Sequence, residues 1–109
     1  MALALNVFKT VTAVAPLTDT VIYTAPVGYT GVVLLAQVTN IDSSTYSVSF
    51  THRRSSTDTE ILKDFDIPAN DTANLLAGKL VLESGDKLLL SGSNASNLKF
   101  IASVLETLN

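Results

Sequence analysis

The segment from Thr20 to Val38 constrains the fold more than any other part of the chain. It contains two β-prone runs joined by a short turn with Pro26 and Gly28, and the second run, Val32 to Val38, is apolar at both odd and even positions. Because successive side chains of a strand point to opposite faces of a sheet, this strand has to be covered on both faces. A second sheet of the same domain supplies one cover. The other is most simply a loop or another protein molecule.

Length and composition favour one globular domain. The chain has 109 residues, of which 47% are hydrophobic and 16% charged. This length fits a single domain, residues 1–109, with one hydrophobic core. The composition is too apolar for a disordered tail, and polar residues interrupt every run before it could span a membrane. A formal charge of −3 argues against nucleic-acid binding, because phosphate contacts require clustered Lys and Arg. We therefore expect no nucleic-acid or membrane partner.

Turn signals recur along the chain at the spacing of short antiparallel strands. Between them, several runs alternate apolar and polar residues with a period of two, most cleanly from Thr45 to Arg53. The pattern predicts an all-β fold, an antiparallel β-sandwich of jelly-roll-like or immunoglobulin-like form with about eight strands. The leucine-rich segment from Thr72 to Leu82 is also compatible with a helical turn, although its turn residues favour β-structure.

A serine pair after Arg54 predicts the tip of a hairpin. The two strands then bring Arg53 and Arg54 near Asp58 and Glu60, a charge pairing that steadies the tip. On the returning strand, alternation places Phe65 on the inner face of the sheet.

Residues 1–15 form a candidate N-terminal β-arm. Odd positions such as Leu3, Leu5 and Val7 are apolar, whereas even positions such as Asn6 and Thr10 are polar. A strand of this kind can add to a neighbour's sheet through main-chain hydrogen bonds.

Two further regions supply interface candidates. Tyr29 lies in the turn before the third strand, where it either anchors an interface or covers one end of the sandwich. Val33 and Leu35 share the second apolar face of the third strand. Together with the arm, the candidate interface residues are Leu3, Leu5, Val7, Tyr29, Val33 and Leu35.

Residues suited to catalysis are few. The sequence has no Cys, which excludes disulfides, thiolate metal sites and Cys nucleophiles. His52 is the single imidazole, and its apolar neighbours suggest a core-edge histidine bonded to a backbone carbonyl. An acidic strand face is better explained by solubility and edge protection than by paired catalytic carboxylates or a Ca²⁺ loop; it comprises Asp58, Glu60, Asp64 and Asp66. We expect no enzymatic activity and no catalytic, cofactor-binding or metal-binding residues.

Two segments carry recognisable patterns. One is Thr20 to Asn40, with Tyr-Thr-Ala-Pro-Val-Gly-Tyr-Thr at its turn, and the other is Gly78 to Leu88, with Leu-Val-Leu-Glu-Ser-Gly-Asp-Lys-Leu. Together they resemble small virion proteins of tailed bacteriophages, and the similarity extends from about Thr20 to Glu106. The resemblance implies a compact β-sandwich that is present in many copies on the particle and binds coat or tail subunits.

The surplus of apolar strand faces agrees with that resemblance, because such faces suit a protein that docks onto a repetitive surface. We expect a non-enzymatic virion structural protein, assembled in the host cytoplasm as a homo-oligomer, with phage coat or tail proteins as partners. A capsid decoration or cement protein is the first hypothesis. The alternatives are a tail, neck or fibre-attachment component, and a receptor- or carbohydrate-binding module with a concave polar pocket and exposed aromatic residues.

Overall fold

The strands follow the alternating runs of the sequence. The computed structural model describes residues 5–109, which form nine strands and no helix. The strands are β1 (Asn6–Val14), β2 (Thr20–Thr24), β3 (Tyr29–Asn40), β4 (Tyr46–Arg54), β5 (Thr57–Ile67), β6 (Thr72–Asn74), β7 (Leu80–Leu82), β8 (Lys87–Gly92) and β9 (Leu98–Leu108). The predicted β-sandwich is thereby confirmed, with nine strands against about eight. The leucine-rich segment forms two short strands instead of a helical turn.

Two antiparallel sheets pack face to face. Sheet A has the order β1-β9-β3, with β6 and β7 both paired to the far side of β3. Sheet B has the order β2-β8-β4-β5. The core lies between the sheets, where Phe50 of sheet B and Phe100 of sheet A have ring centroids 5.8 Å apart. Both rings are buried, so aromatic contact joins the two layers at the centre of the sandwich.

The proposed N-terminal arm is for the most part an integral strand. β1 pairs with β9 along its whole length, from Asn6 opposite Thr107 to Val14 opposite Lys99. Residues 6–14 therefore belong to the sandwich itself, so the described part of the candidate arm over residues 1–15 is a strand of the domain. The physical reason is that β9 is long enough to pair with all nine residues of β1 within the same domain.

A β-bulge in β3 reverses the predicted faces of this strand. Val33 lies opposite Val104, but the next partner of β9, Ser103, lies opposite Leu35, so Leu34 is the extra residue. A bulge shifts the alternation of side chains by one residue. Val33 accordingly points into the core with no exposed surface, whereas Leu34 and Leu35 both point outward. The prediction that Val33 and Leu35 share a face is wrong for this reason.

The β4–β5 hairpin is partly as predicted. Arg53 lies opposite Asp58, and its Nε and Nη2 atoms donate to the carboxylate at 2.5 and 3.0 Å. Arg54 instead points away from the tip, toward Asp86. Two register shifts interrupt β5, and Phe65 near its end is about half exposed, contrary to its predicted inward position.

Candidate functional site

One row of apolar side chains crosses the outer face of sheet A. Phe8 of β1 lies opposite Leu105 of β9, Leu105 lies opposite Val32 of β3, and Val32 lies opposite Val81 of β7. Residues opposite each other in an antiparallel pair project from the same face of the sheet. We call Phe8, Leu105, Val32 and Val81 the apolar row. Its two ends are the most open, since Phe8 is 75% and Val81 56% exposed.

Polar side chains border the apolar row on one side. Asn6, Thr107 and Thr30 occupy the adjacent cross-strand positions, and Thr107 Oγ1 donates to Asn6 Oδ1 at 2.7 Å. On the other side, the next positions are Thr10, Ser103 and Leu35. An apolar centre with a polar rim is the usual anatomy of a protein–protein contact.

Depressions beside the row add relief to this face. One of about 250 Å³ is lined by Phe8, Thr10, Leu34 and Ser103, among others. Another of about 340 Å³ lies between the bulge of β3 and the segment from Asn74 to Lys79. Both are open and shallow, which suits side chains of a docked surface better than an enclosed small molecule.

The charges of the molecule are divided between the two sheets. Along the paired strands of sheet A the outward positions carry one charged side chain, Lys99, among the described residues. The acidic residues predicted on β5 are all exposed at the edge of sheet B; they are Asp58, Glu60, Asp64 and Asp66. Sheet A therefore presents a nearly neutral outer face, whereas sheet B presents an acidic edge.

The predicted interface residues are only partly brought together. Leu35 is 39% exposed beside the apolar row, and Leu5 is exposed just before β1. Val7 is half-buried on the inner side of β1, since it lies opposite the buried Glu106. Tyr29 is half-buried at the start of β3.

The structure moves one predicted residue off the candidate surface and does not describe another. Val33 is a core residue, and Leu3 lies outside the described residues. The four residues of the apolar row were not among the predicted interface residues; they are Phe8, Val32, Val81 and Leu105. Phe8 and Lys9 break the alternation of the first strand, and an apolar Phe8 at an even position is a signal of its outward position. The positions of the other three depend on the register between strands, which cannot be read from the sequence.

The buried carboxylate of Asp86 connects neighbouring chain segments at one end of the sandwich. Asp86 is 2% exposed and accepts hydrogen bonds from Arg54 Nε at 2.9 Å, Arg54 Nη2 at 2.7 Å and the backbone N–H of Glu83 at 2.9 Å. His52 Nε2 lies 3.0 Å from the same carboxylate. The hydrogen bonds from Arg54 and then from His52 hold the pKa of Asp86 well below its usual value, although burial opposes them.

This arrangement corrects the predicted partner of His52, which is a carboxylate and not a backbone carbonyl. Asp86 closes the turn between β7 and β8, and its backbone carbonyl also accepts from Ala25 N in the turn after β2. The cluster thus ties three chain segments together. Its buried side-chain nitrogen and oxygen atoms all have hydrogen-bond partners, as is true throughout the described residues.

Other kinds of site have no support in residues 5–109. No group of three or more His, Cys, Asp or Glu side chains there could hold a metal ion. The same residues contain no helix that is long and apolar enough to cross a membrane. A polar depression of about 220 Å³ on sheet B is lined mainly by serines and Asp64. Two of its hydroxyls bond within the chain, since Ser49 Oγ accepts from Asp64 N and Ser93 Oγ accepts from Ser47 N, both at 2.9 Å.

Comparisons with known proteins extend the fold assignment. No protein family and no curated protein matches this sequence. Among solved structures, a similar chain comes from Bacillus endospore appendages, described as a novel family of disulfide-linked pili. The two chains superpose with a TM-score of 0.56 at 11% identity, over 94% of this chain and 86% of the other. At this identity the likeness shows a shared fold alone.

Proposed function

We propose that this protein is a non-enzymatic structural subunit of a virus particle, a capsid decoration or cement protein that binds and stabilises neighbouring coat subunits of a tailed bacteriophage. The observation that carries the proposal is the apolar row on the outer face of sheet A. The resemblance of Thr20–Asn40 and Gly78–Leu88 to small phage virion proteins is the reason for proposing a bacteriophage particle.

The energetics of the row favour burial against a partner. Phe8 and Val81 keep more than half of their surface exposed, and covering apolar surface contributes about 25 cal/mol per Å². One such contact is weak, because association costs translational and rotational freedom. Many copies on a repetitive lattice act together through multivalency, so a small domain can stabilise a shell without a tight individual site.

A second placement, as a tail, neck or fibre-attachment component, is favoured by one comparison. The similar chain from endospore appendages is a pilus protein, so this type of sandwich occurs in a filament. That family is described as disulfide-linked, whereas this sequence has no Cys. Any assembly of this chain with itself therefore depends on packing and hydrogen bonds.

The direct test is to purify particles produced from the genome that encodes this chain and to locate the chain by mass spectrometry and image reconstruction. We expect density for it on the outer capsid surface, with sheet A turned toward the coat. Density on a tail or fibre would support the second placement. Particles that lack the chain would contradict both.

A pair of variants tests the surface itself. Val81→Asp places a charge in the apolar row, whereas Val27→Asp places the same charge at an exposed valine of the β2–β3 turn. We expect Val81→Asp to lower retention on purified particles at least about tenfold, which corresponds to about 1.4 kcal/mol. Val27→Asp should be retained like the wild type. Equal retention of the two variants would exclude the row as the contact.

A further inference from the structure

The outer edge of β1 carries a row of backbone groups with which no strand of residues 5–109 pairs. Ala15 N donates to Leu98 O at 2.9 Å and Leu108 N donates to Leu5 O at 2.8 Å, in the same register that pairs β1 with β9. Because bonding directions alternate along an antiparallel strand, the odd-numbered residues of β1 bond to β9. The even-numbered residues direct N–H and C=O away from it; they are Asn6, Phe8, Thr10, Thr12 and Val14.

The other edge strands of the two sheets are short or irregular, whereas β1 is long and regular. β5 has two register shifts, its Asp64 has a φ of 48°, and its exposed face is acidic. β2 has five residues and a register shift, and β6 and β7 have three residues each. β1 has nine residues in unbroken register, without Pro or an acidic residue. Bulges, charge and shortness are the usual protections against edge pairing, and of these β1 has only the charge of Lys9.

The charge of β1 is neutralised inside its own subunit. Lys9 is its one charged residue, and Lys9 Nζ lies 3.1 Å from Glu106 Oε1, a buried carboxylate on β9. A second β1 strand can therefore approach the edge without net repulsion, provided that the two Lys9 side chains do not lie opposite each other.

We propose that β1 pairs antiparallel with β1 of a second copy, about a twofold axis at Thr10, so that the two A sheets become one continuous sheet. This inference rests on the proposed function, because it names a second copy of the chain as the first partner of the structural subunit. An isologous contact of this type is self-complementary. It would place the apolar rows of both copies on one extended face, which enlarges the surface available to a particle.

The register follows from the bonding pattern and the charge. Residues that exchange hydrogen bonds across the new contact are even-numbered in both strands, and pairing Thr10 with Thr10 uses the strand from Asn6 to Val14. About ten main-chain hydrogen bonds result, two for each bonded pair. A register centred on Lys9 sets like charges opposite each other, and one centred on Phe8 uses only about half of the strand.

Single cysteines test this register without background, because the chain has none of its own. In the proposed dimer the two Thr10 Cα atoms lie about 5.5 Å apart, within disulfide range. The two Thr12 Cα atoms are about 14 Å apart, since each lies opposite Phe8 of the other copy, four residues along the strand. Under mild oxidation we expect Thr10→Cys to become a covalent dimer and Thr12→Cys to remain at the 11.5 kDa of one chain. Equal cross-linking of both variants, or of neither, would overturn the proposal.

A proline pair tests the edge independently of cysteine chemistry. Thr12→Pro removes an N–H that points away from β9, so the domain should stay folded while its light-scattering mass falls from two chains to one. Val11→Pro removes an N–H bonded to β9 and should lower the melting temperature instead. A folded Thr12→Pro variant that keeps the wild-type dimer mass, or a wild type that is monomeric, would refute edge pairing. Neither result decides particle binding, which the Val81→Asp variant tests separately.

Discussion

The hydroxyl of Tyr23 on β2 donates a 2.5 Å hydrogen bond to Glu106 Oε2 on β9 and so links the two sheets at one end of the sandwich. Gly31 of β3 lies opposite Glu106 and makes this contact feasible. A Cβ atom at position 31 would lie 3.3 Å from the Tyr23 hydroxyl, which is tight. The glycine in the most informative stretch of the sequence therefore leaves space for a polar bridge between the layers.

We predict that Tyr23→Phe lowers the free energy of unfolding by about 1–3 kcal/mol, because Glu106 is buried and loses a donor. Chemical denaturation at neutral pH measures this loss. Glu106→Gln keeps an acceptor for Tyr23 but removes the charge that binds Lys9, so it serves as the companion variant. A Tyr23→Phe protein as stable as the wild type would show that the bridge contributes no net stability.

The same pair predicts the alkaline behaviour of the protein. Burial, and then the hydrogen bond to Glu106, raise the pKa of Tyr23 above its usual 10.0. A raised pKa in the folded state stabilises the fold below the unfolded-state pKa, and this contribution is lost as pH rises above about 10. Melting temperatures measured between pH 8 and about 11 should therefore fall more steeply for the wild type than for Tyr23→Phe. Parallel curves would contradict the assignment.

At acid pH the corresponding residue is Asp86. Its pKa is lowered below 3.8 chiefly by Arg54, so its contribution is present above that value and is lost as pH falls below it. Asp86→Asn should cost about 2 kcal/mol at neutral pH and flatten the decline between about pH 5 and pH 2. Asp66→Asn, an exposed carboxylate of β5, controls for the loss of one negative charge. If both variants follow the wild-type acid profile, the Asp86 cluster does not determine acid stability.

The bulge in β3 predicts opposite effects of one substitution at two nearby positions. Val33→Asp buries a charge in the core and should unfold the domain, at a cost above about 3 kcal/mol. The side chain at position 35 points outward, so Leu35→Asp should change the free energy of unfolding by less than about 1 kcal/mol. It should weaken association with a partner that covers the outer face of sheet A. Circular dichroism melts of the two variants decide the matter. Similar destabilisation at both positions would mean that the bulge does not separate the faces.

Two glycines without positive φ give a packing test. A Cβ at Gly92 would lie 2.6 Å from Leu98 Cδ1 and 3.2 Å from Ala15 Cβ, so Gly92→Ala should cost about 1–3 kcal/mol through overpacking. A Cβ at Gly78 meets no atom within 4 Å, and Gly78→Ala should be neutral to within about 0.5 kcal/mol. Equal melting temperatures for the two variants would show that Leu98 moves aside freely.

Local alternation accounts for what could be predicted about the fold. The clean period of two from Thr45 to Arg53 and the turn at Glu83–Asp86 both correspond to structure, because side-chain direction and turn chemistry depend on neighbouring residues alone. The pairing of Arg53 with Asp58 was predictable for the same reason, since a hairpin connects them.

The contacts that could not be predicted depend on the register between strands that are distant in sequence. Asp86 is 32 residues from Arg54 and 34 from His52, and nothing local to His52 indicates that its partner is a carboxylate. The apolar row likewise combines residues from β1, β3, β7 and β9, which only sheet order brings side by side.

The sequence by itself determined the all-β class, because runs with a period of two separated by Pro and Gly turns have few other ways to bury their apolar faces. It also indicated that the apolar surface of β3 exceeds what one sheet face can bury. Tertiary structure alone decided which residues remain outside. The bulge at Leu34 turns Val33 inward and Leu35 outward, and pairing with β9 makes β1 an edge strand. One residue of register reverses every side chain that follows it, and register is set by contacts between distant strands.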